Sequence, residues 1–141
     1  MKKFVLLFLL LTTQAFGVTQ EQEIIAITIL AEARSEGPDG MWAVAAVINQ
    51  RMLDRDLSAK EVCLQKYQFS CWNGKKVSDL KHLLKIPQAK TALYLAENIH
   101  QIDRSKTKFA NHYYADYIKA PYWAKGKKPT VKIGKHIFYK L

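Results

Sequence analysis

Apolar positions fall along this chain in blocks of different rhythm. Phe4 to Leu11 is an unbroken apolar run between a Lys2-Lys3 start and a small, polar stretch, Thr13 to Gly17. Eight apolar residues fall short of the roughly 20 that span a bilayer. A basic start, a short apolar run and a small-residue end make a secretory signal. Ala15 and Gly17 stand at the spacing a signal peptidase accepts, so residues 1–17 are expected to be cleaved. Cleavage after Ala15 and an uncleaved anchor are the alternatives. The product, residues 18–141, is expected to be one exported domain, periplasmic or secreted.

Thr19 with Gln22 three residues on is a capping box, and Ile24, Ile25, Ile27, Ile29 and Leu30 follow it. This predicts a strongly apolar helix from about Gln20 to Glu36, stopped by Gly37-Pro38. A second helix is expected from Asp39 toward Leu53, with Ala43, Ala45 and Ala46 allowing close packing, so that the two form a helical hairpin. Ser58 with Glu61 is another capping box, opening a short helix into Cys63. Pro87 suits the first turn of a third long helix through Ile99. After Lys108 aromatics mix with Gly, Pro and Lys. Thr130 to Tyr139 alternates as a small hairpin does, with Gly134-Lys135 as its turn. The pattern is α+β, mostly helical, with a β-hairpin near the C-terminus.

Composition narrows the classes. At 49% hydrophobic and 24% charged the chain is neither disordered nor collagenous. Without the first 17 of its 141 residues, 124 remain, enough for one domain and too few for two. Lys plus Arg outnumber Asp plus Glu by 22 to 12, which implies an anionic partner without choosing among nucleic acid, phospholipid and envelope polymers. Export favours the envelope. Cys63 and Cys71 are the two cysteines, too few to enclose a structural zinc, and no His stands at finger spacing. In an oxidising compartment they are expected to form a disulfide worth about 2.5 kcal/mol, with two buried thiols as the alternative.

Glu32 draws attention first among the chemical groups. It sits near the C-terminal end of an apolar helix, where the helix dipole disfavours an acid by about 0.3–1 kcal/mol. Partial burial acts in the same direction, and both favour the protonated carboxyl a general acid needs. A structural ion pair with Arg34 or Arg51 is the plainer reading. Glu36, four residues on, would share that face, and paired carboxylates are what glycoside hydrolysis commonly uses. A solvated acid at the helix end explains Glu36 as well. Gln68, Phe69 and Trp72 put an amide and two aromatic rings in one loop, a combination that suits sugar rings, although the aromatics could equally pack on the helices. His112, Tyr113 and Trp123 belong to a second aromatic group. Ser70 has no elbow motif or paired His to make it a nucleophile.

Together these residues resemble the bacterial cell wall hydrolase family typified by the catalytic domain of spore-cortex-lytic enzymes. The resemblance is carried by A-E-A-R-S-E-G-x-x-G-M-x-A-V-A-A-V-I-x-x-R from Ala31 to Arg51 and Y-Q-F-S-C-W from Tyr67 to Trp72. A-N-H-Y-Y, P-Y-W-A and I-G-K-H-I-F-Y then follow in the family's order. It implies a fold similar to lysozyme and resuscitation-promoting factors, with Glu32 as catalytic acid and no cofactor or metal. The implied substrate is the peptidoglycan glycan strand, and Glu36, Gln68, Phe69, Trp72, His112, Tyr113 and Trp123, read from the residues above, are the candidates to bind it. A single acid implies a lytic transglycosylase acting between N-acetylmuramic acid and N-acetylglucosamine; a second acid would make a muramidase. A non-catalytic envelope-binding module that keeps the groove is the alternative, with the intact Glu32 against it. A basic nuclease or an amidase would need a metal cluster, zinc ligands or a paired His and nucleophile that the sequence does not display. The enzyme is expected to act as a monomer, with no nucleic-acid partner and no transmembrane segment once the signal is removed.

Overall fold

The computed structural model describes residues 17–141. The expected signal peptide, Gly17 apart, lies outside the described residues.

Helix α1 spans Gln20–Ala33 and begins at the expected capping box: Gln22 N–H donates to Thr19 Oγ1 at 3.1 Å, and Thr19 N–H to Gln22 Oε1 at 3.0 Å. Ile24, Ile25, Ile27, Ile29 and Leu30 are each at most 1% exposed. A helix apolar on every side has to be wrapped by its neighbours. Here α2 (Gly37–Arg55), α3 (Ala59–Leu64) and α5 (Ala89–Glu97) surround it, together with α4 (Val77–Leu80) and the 3-10 turn Lys81–Lys85. α1 ends three residues earlier than the sequence predicts, and α2 starts two earlier. Gly37 adopts φ +72°, and Pro38 lacks an N–H but fits a helical first turn, so Gly37-Pro38 ends one helix and opens the next. The third long helix is likewise shorter, with Pro87 left in the turn before α5.

The β piece is larger than a hairpin. β2 (Val131–Ile133) and β3 (His136–Tyr139) join through Gly134-Lys135 as expected, and β1 (His112–Ala115) adds to the other edge of β3, giving the antiparallel order β1-β3-β2. In register, Tyr113 faces Phe138 and Ala115 faces His136. Strand alternation then divides the sheet. Tyr113, His136 and Phe138 occupy the inner face, where Phe138 is fully buried with Ala43 and Val47 of α2. His112, Tyr114 and Tyr139 occupy the outer face.

The disulfide expected between Cys63 and Cys71 does not form: both are free thiols. Cys63 is fully buried on α3, near Thr28 and Cys71, and Cys71 in the turn Ser70–Trp72 is half-buried near Glu32. Burial pushes each thiol up to about 12. Neither is a thiolate nucleophile at neutral pH.

Candidate active site

A cleft of about 410 Å³ opens between the C-terminal end of α1, the loop at Tyr67–Ser70 and the inner face of the sheet. Glu32 lies in its wall, and is the one carboxyl lining it among the described residues. The site is assembled from distant parts of the chain. α1 is anchored by its cap and its buried isoleucines, so its last turn is fixed in place. β1 is fixed by Asn111, whose amide donates to Asp54 Oδ2 and to the Leu141 backbone oxygen, each at 2.9 Å. Between these fixed parts the Tyr113 hydroxyl donates to Glu32 Oε2 at 3.0 Å.

Arg51 supplies the third group. It stands on the buried side of α2, 6% exposed, and its Nε donates to the Asn111 carbonyl at 2.7 Å. Its guanidinium lies 5.2 Å from the centre of the Phe69 ring. Nη1 is buried without a hydrogen-bond partner, beside a cleft that oxygen-rich ligands could enter. No Glu32 ion pair forms within 4.0 Å among the described residues; Arg51 acts on the carboxyl as a nearby field. Arg34 instead donates to the carbonyls of Leu30 and Ala31, closing the end of α1.

The Glu32 pKa follows from these surroundings. Burial, the largest effect, raises it above the ordinary carboxylate value; the Tyr113 hydrogen bond and the Arg51 charge pull it partly back. Tyr113 is pushed well above its own usual value by burial and by Glu32, so it stays protonated and keeps donating. His136, on the same inner face with ring centres 4.9 Å from Tyr113, is pulled below its usual value by burial and is neutral at pH 7. The arrangement is a carboxyl whose charged form burial disfavours, set beside a neutral hydrogen-bond donor and a cation that favour it.

Of the residues named from sequence, Glu32, Gln68, Phe69 and Tyr113 meet in this cleft. Glu36, Trp72, His112 and Trp123 are not among the residues lining it. Glu36 caps no helix with its side chain; its Oε2 accepts the Lys135 N–H at 3.1 Å, tying α2 to the β2–β3 turn. Gly134 in that turn has φ +57°, and a side chain there would collide with Glu36 Oε2, so the turn and the acid are fitted to each other. Trp72 donates from Nε1 to Thr28 Oγ1 at 3.0 Å and packs on the helical core. His112 and Trp123 pack against each other, ring centres 5.0 Å apart and tilted by 58°, on the outer face of the sheet. Cys63 and Cys71 hold no bridge, and no group of three His, Cys, Asp or Glu able to hold a metal ion occurs among the described residues.

Sequence reasoning passed over Arg51 as a cleft residue, although an Arg inside A-V-A-A-V-I-N-Q-R is the signal that could have found it. It also left out the cleft rim formed by Tyr67 and Tyr117, which are 76% and 74% exposed. Nothing in a local pattern brings those two tyrosines together.

Two solved structures are similar over most of the chain. The catalytic domain of the germination-specific lytic transglycosylase SleB from Bacillus anthracis superposes with a TM-score of 0.66 at 25% identity, covering 88% of this chain and 98% of that one. The catalytic domain of the Bacillus cereus SleB protein gives 0.65 at 26%, covering 88% and 93%. No curated protein sequence matches the chain. The cell wall hydrolase family matches it from residue 35 to residue 139, from the α1–α2 junction to the end of the sheet, and the chain belongs to that family.

Proposed function

We propose that this protein cleaves the glycan strand of peptidoglycan as a lytic transglycosylase, with Glu32 serving in turn as general acid and general base. The observation that carries the proposal is the setting of Glu32: alone among carboxyls in the cleft, raised by burial and bonded to Tyr113. The family match begins three residues beyond Glu32, so the role of this residue rests on its geometry. The likeness to the Bacillus anthracis lytic transglycosylase supports the reaction class.

In the proposed reaction Glu32 donates its proton to the oxygen linking N-acetylmuramic acid to N-acetylglucosamine. The C1–O bond breaks with its electron pair going to the departing sugar, and positive charge develops at the muramic C1. The Glu32 carboxylate then takes the proton of the same sugar's 6-hydroxyl as that oxygen bonds to C1, leaving a 1,6-anhydro end. The group thereby returns to its protonated form. Burial favours the first half, and Tyr113 and Arg51 favour the second by stabilising the carboxylate. Tyr67 and Tyr117 offer aromatic faces at the rim for sugar rings. The protein would act on the wall as a monomer after export.

The test is mass spectrometry of purified peptidoglycan digested with residues 18–141 and with the Glu32→Gln variant. Anhydro-muropeptides from the native protein alone are expected. Reducing ends would overturn the transglycosylase and require a water-activating acid, and no cleavage at all would leave only a binding protein.

A further inference from the structure

The positive charge of the protein is concentrated in one part of it. Between residues 18 and 116 there are 13 Lys plus Arg and 12 Asp plus Glu, close to neutral; residues 117–141 carry seven Lys, no Arg and no acid. Of the seven, Lys132 is paired with Asp116 at 2.7 Å, and Lys125 and Lys127 form no ion pair among the described residues. They border an open groove of about 690 Å³ on the outer side of the sheet, with Tyr122, Trp123 and Leu141 as its other walls.

The groove is held firmly. Trp123 packs 5.0 Å from His112 and 5.3 Å from Tyr139, edge-on to Tyr139, and the turn Tyr122–Ala124 is closed by Ala124 N–H donating to Pro121 O at 3.0 Å. Lys127 N–H continues it by donating to Ala124 O. This same turn leaves Tyr122 91% exposed. A ring kept in water by an ordered turn, with unpaired ammonium groups beside it, combines a stacking face with charge for acids.

We propose that this groove is a second, non-catalytic docking site for an intact peptidoglycan strand, with a sugar face on Tyr122 and stem-peptide carboxylates on Lys125 and Lys127. It rests on the peptidoglycan reading given above. Lysines are diffuse point charges suited to mobile carboxylates, whereas phosphate recognition favours the bidentate fork of Arg, which the segment lacks. Single-stranded nucleic acid would need a series of stacking rings, and one is exposed here. The site lies across the sheet from Glu32, so a strand held here leaves the cleft free for another stretch of polymer. An enzyme acting on an insoluble substrate gains local concentration from such a site.

The test uses residues 18–141 carrying Glu32→Gln, to stop turnover, with and without Tyr122→Ala, Lys125→Gln and Lys127→Gln together. Co-sedimentation with purified sacculi should weaken about tenfold in the triple variant. Raising salt from about 0.01 M to about 1 M, which shortens the screening length from about 30 Å to about 3 Å, should weaken the parent more than the variant. With Glu32 restored, the triple substitution should slow release from sacculi and leave cleavage of a short soluble, peptide-free glycan unchanged. Unchanged co-sedimentation, or equal loss on both substrates, would overturn the proposal. So would a triple variant that keeps its hold on sacculi but releases vesicles of phosphatidylcholine and phosphatidylglycerol or single-stranded DNA. Because sedimentation needs no turnover, a protein that cleaves nothing yet loses its hold in the triple variant would sink the catalytic reading and keep this one.

Discussion

β1 has two faces with opposite physics. On the inner face Tyr113 meets Glu32 in the half-buried wall of the cleft, and burial is the largest influence on Glu32, Tyr113 and His136 there. On the outer face His112 and Tyr114 meet Trp123, next to a groove where charge stands in solvent and salt screens it. Neighbouring residues of one strand therefore serve different tasks: the inner face shifts a proton affinity, and the outer face offers surface. Desolvation multiplies the effect of a single charge, so the inner face needs few groups accurately placed. Exposed charges contribute little singly and must be numerous.

The two faces should respond very differently to substitution. The largest effect is expected from Glu32→Gln, which should lower the rate of glycan cleavage by at least the roughly 10²–10⁴-fold that general acid–base catalysis contributes. The same change should raise the thermal midpoint at neutral pH. With its pKa raised in the fold, Glu32 binds more protons folded than unfolded between 4.5 and its raised value, so its contribution to stability falls as pH rises through that window. Melting curves should show the gain from Glu32→Gln disappearing below pH 4.5. A Gln variant less stable than the parent at pH 7 would contradict the desolvated setting.

Next comes Phe138→Ala, which empties a fully buried site behind Tyr113 and should cost about 3–5 kcal/mol in denaturant unfolding. A similar truncation on the outer side, Tyr122→Ala, should change stability by less than about 0.5 kcal/mol. If the two costs matched, the division of the sheet into a core face and a surface face would be wrong.

Tyr113→Phe keeps the ring and removes the hydrogen bond. The Glu32 pKa should then rise further, because that bond lowers it, and the alkaline limb of the pH–rate profile should move to higher pH. Cleavage at neutral pH should fall by about tenfold, the order of one hydrogen bond to a charged group. An alkaline limb that moves downward would assign the limb to another group.

The smallest effect is expected at Glu36. Glu36→Gln keeps an acceptor for the Lys135 N–H and should cleave like the parent, while Glu36→Ala should lose about 1 kcal/mol of stability by loosening the β2–β3 turn. A Glu36→Gln variant as inactive as Glu32→Gln would restore the two-acid mechanism.

Much of this protein was legible residue by residue. The capping boxes at Thr19 and Ser58 are local chemistry, satisfied by side chains three positions away, and both form as written. The run of isoleucines required a buried α1, the Gly37-Pro38 pair required a break, and Gly134-Lys135 required a turn. Even the unusual state of Glu32 could be anticipated, since helix end and apolar neighbours are both readable along the chain. Three things depended on the tertiary structure. β1 pairs with β3 across more than 20 residues, and only that pairing decides by alternation that Tyr113 faces Glu32 while His112 and Trp123 face away. Cys63 and Cys71 are free thiols, and the burial that raises both is set by the elements packed around them. Arg51 reaches the cleft because α2 crosses behind it, and Glu36 leaves it because Lys135 offers a free N–H. Local sequence sets which groups are present and how each segment bends, whereas the facing of side chains between segments is settled by packing and hydrogen bonds among parts of the chain that the sequence keeps far apart.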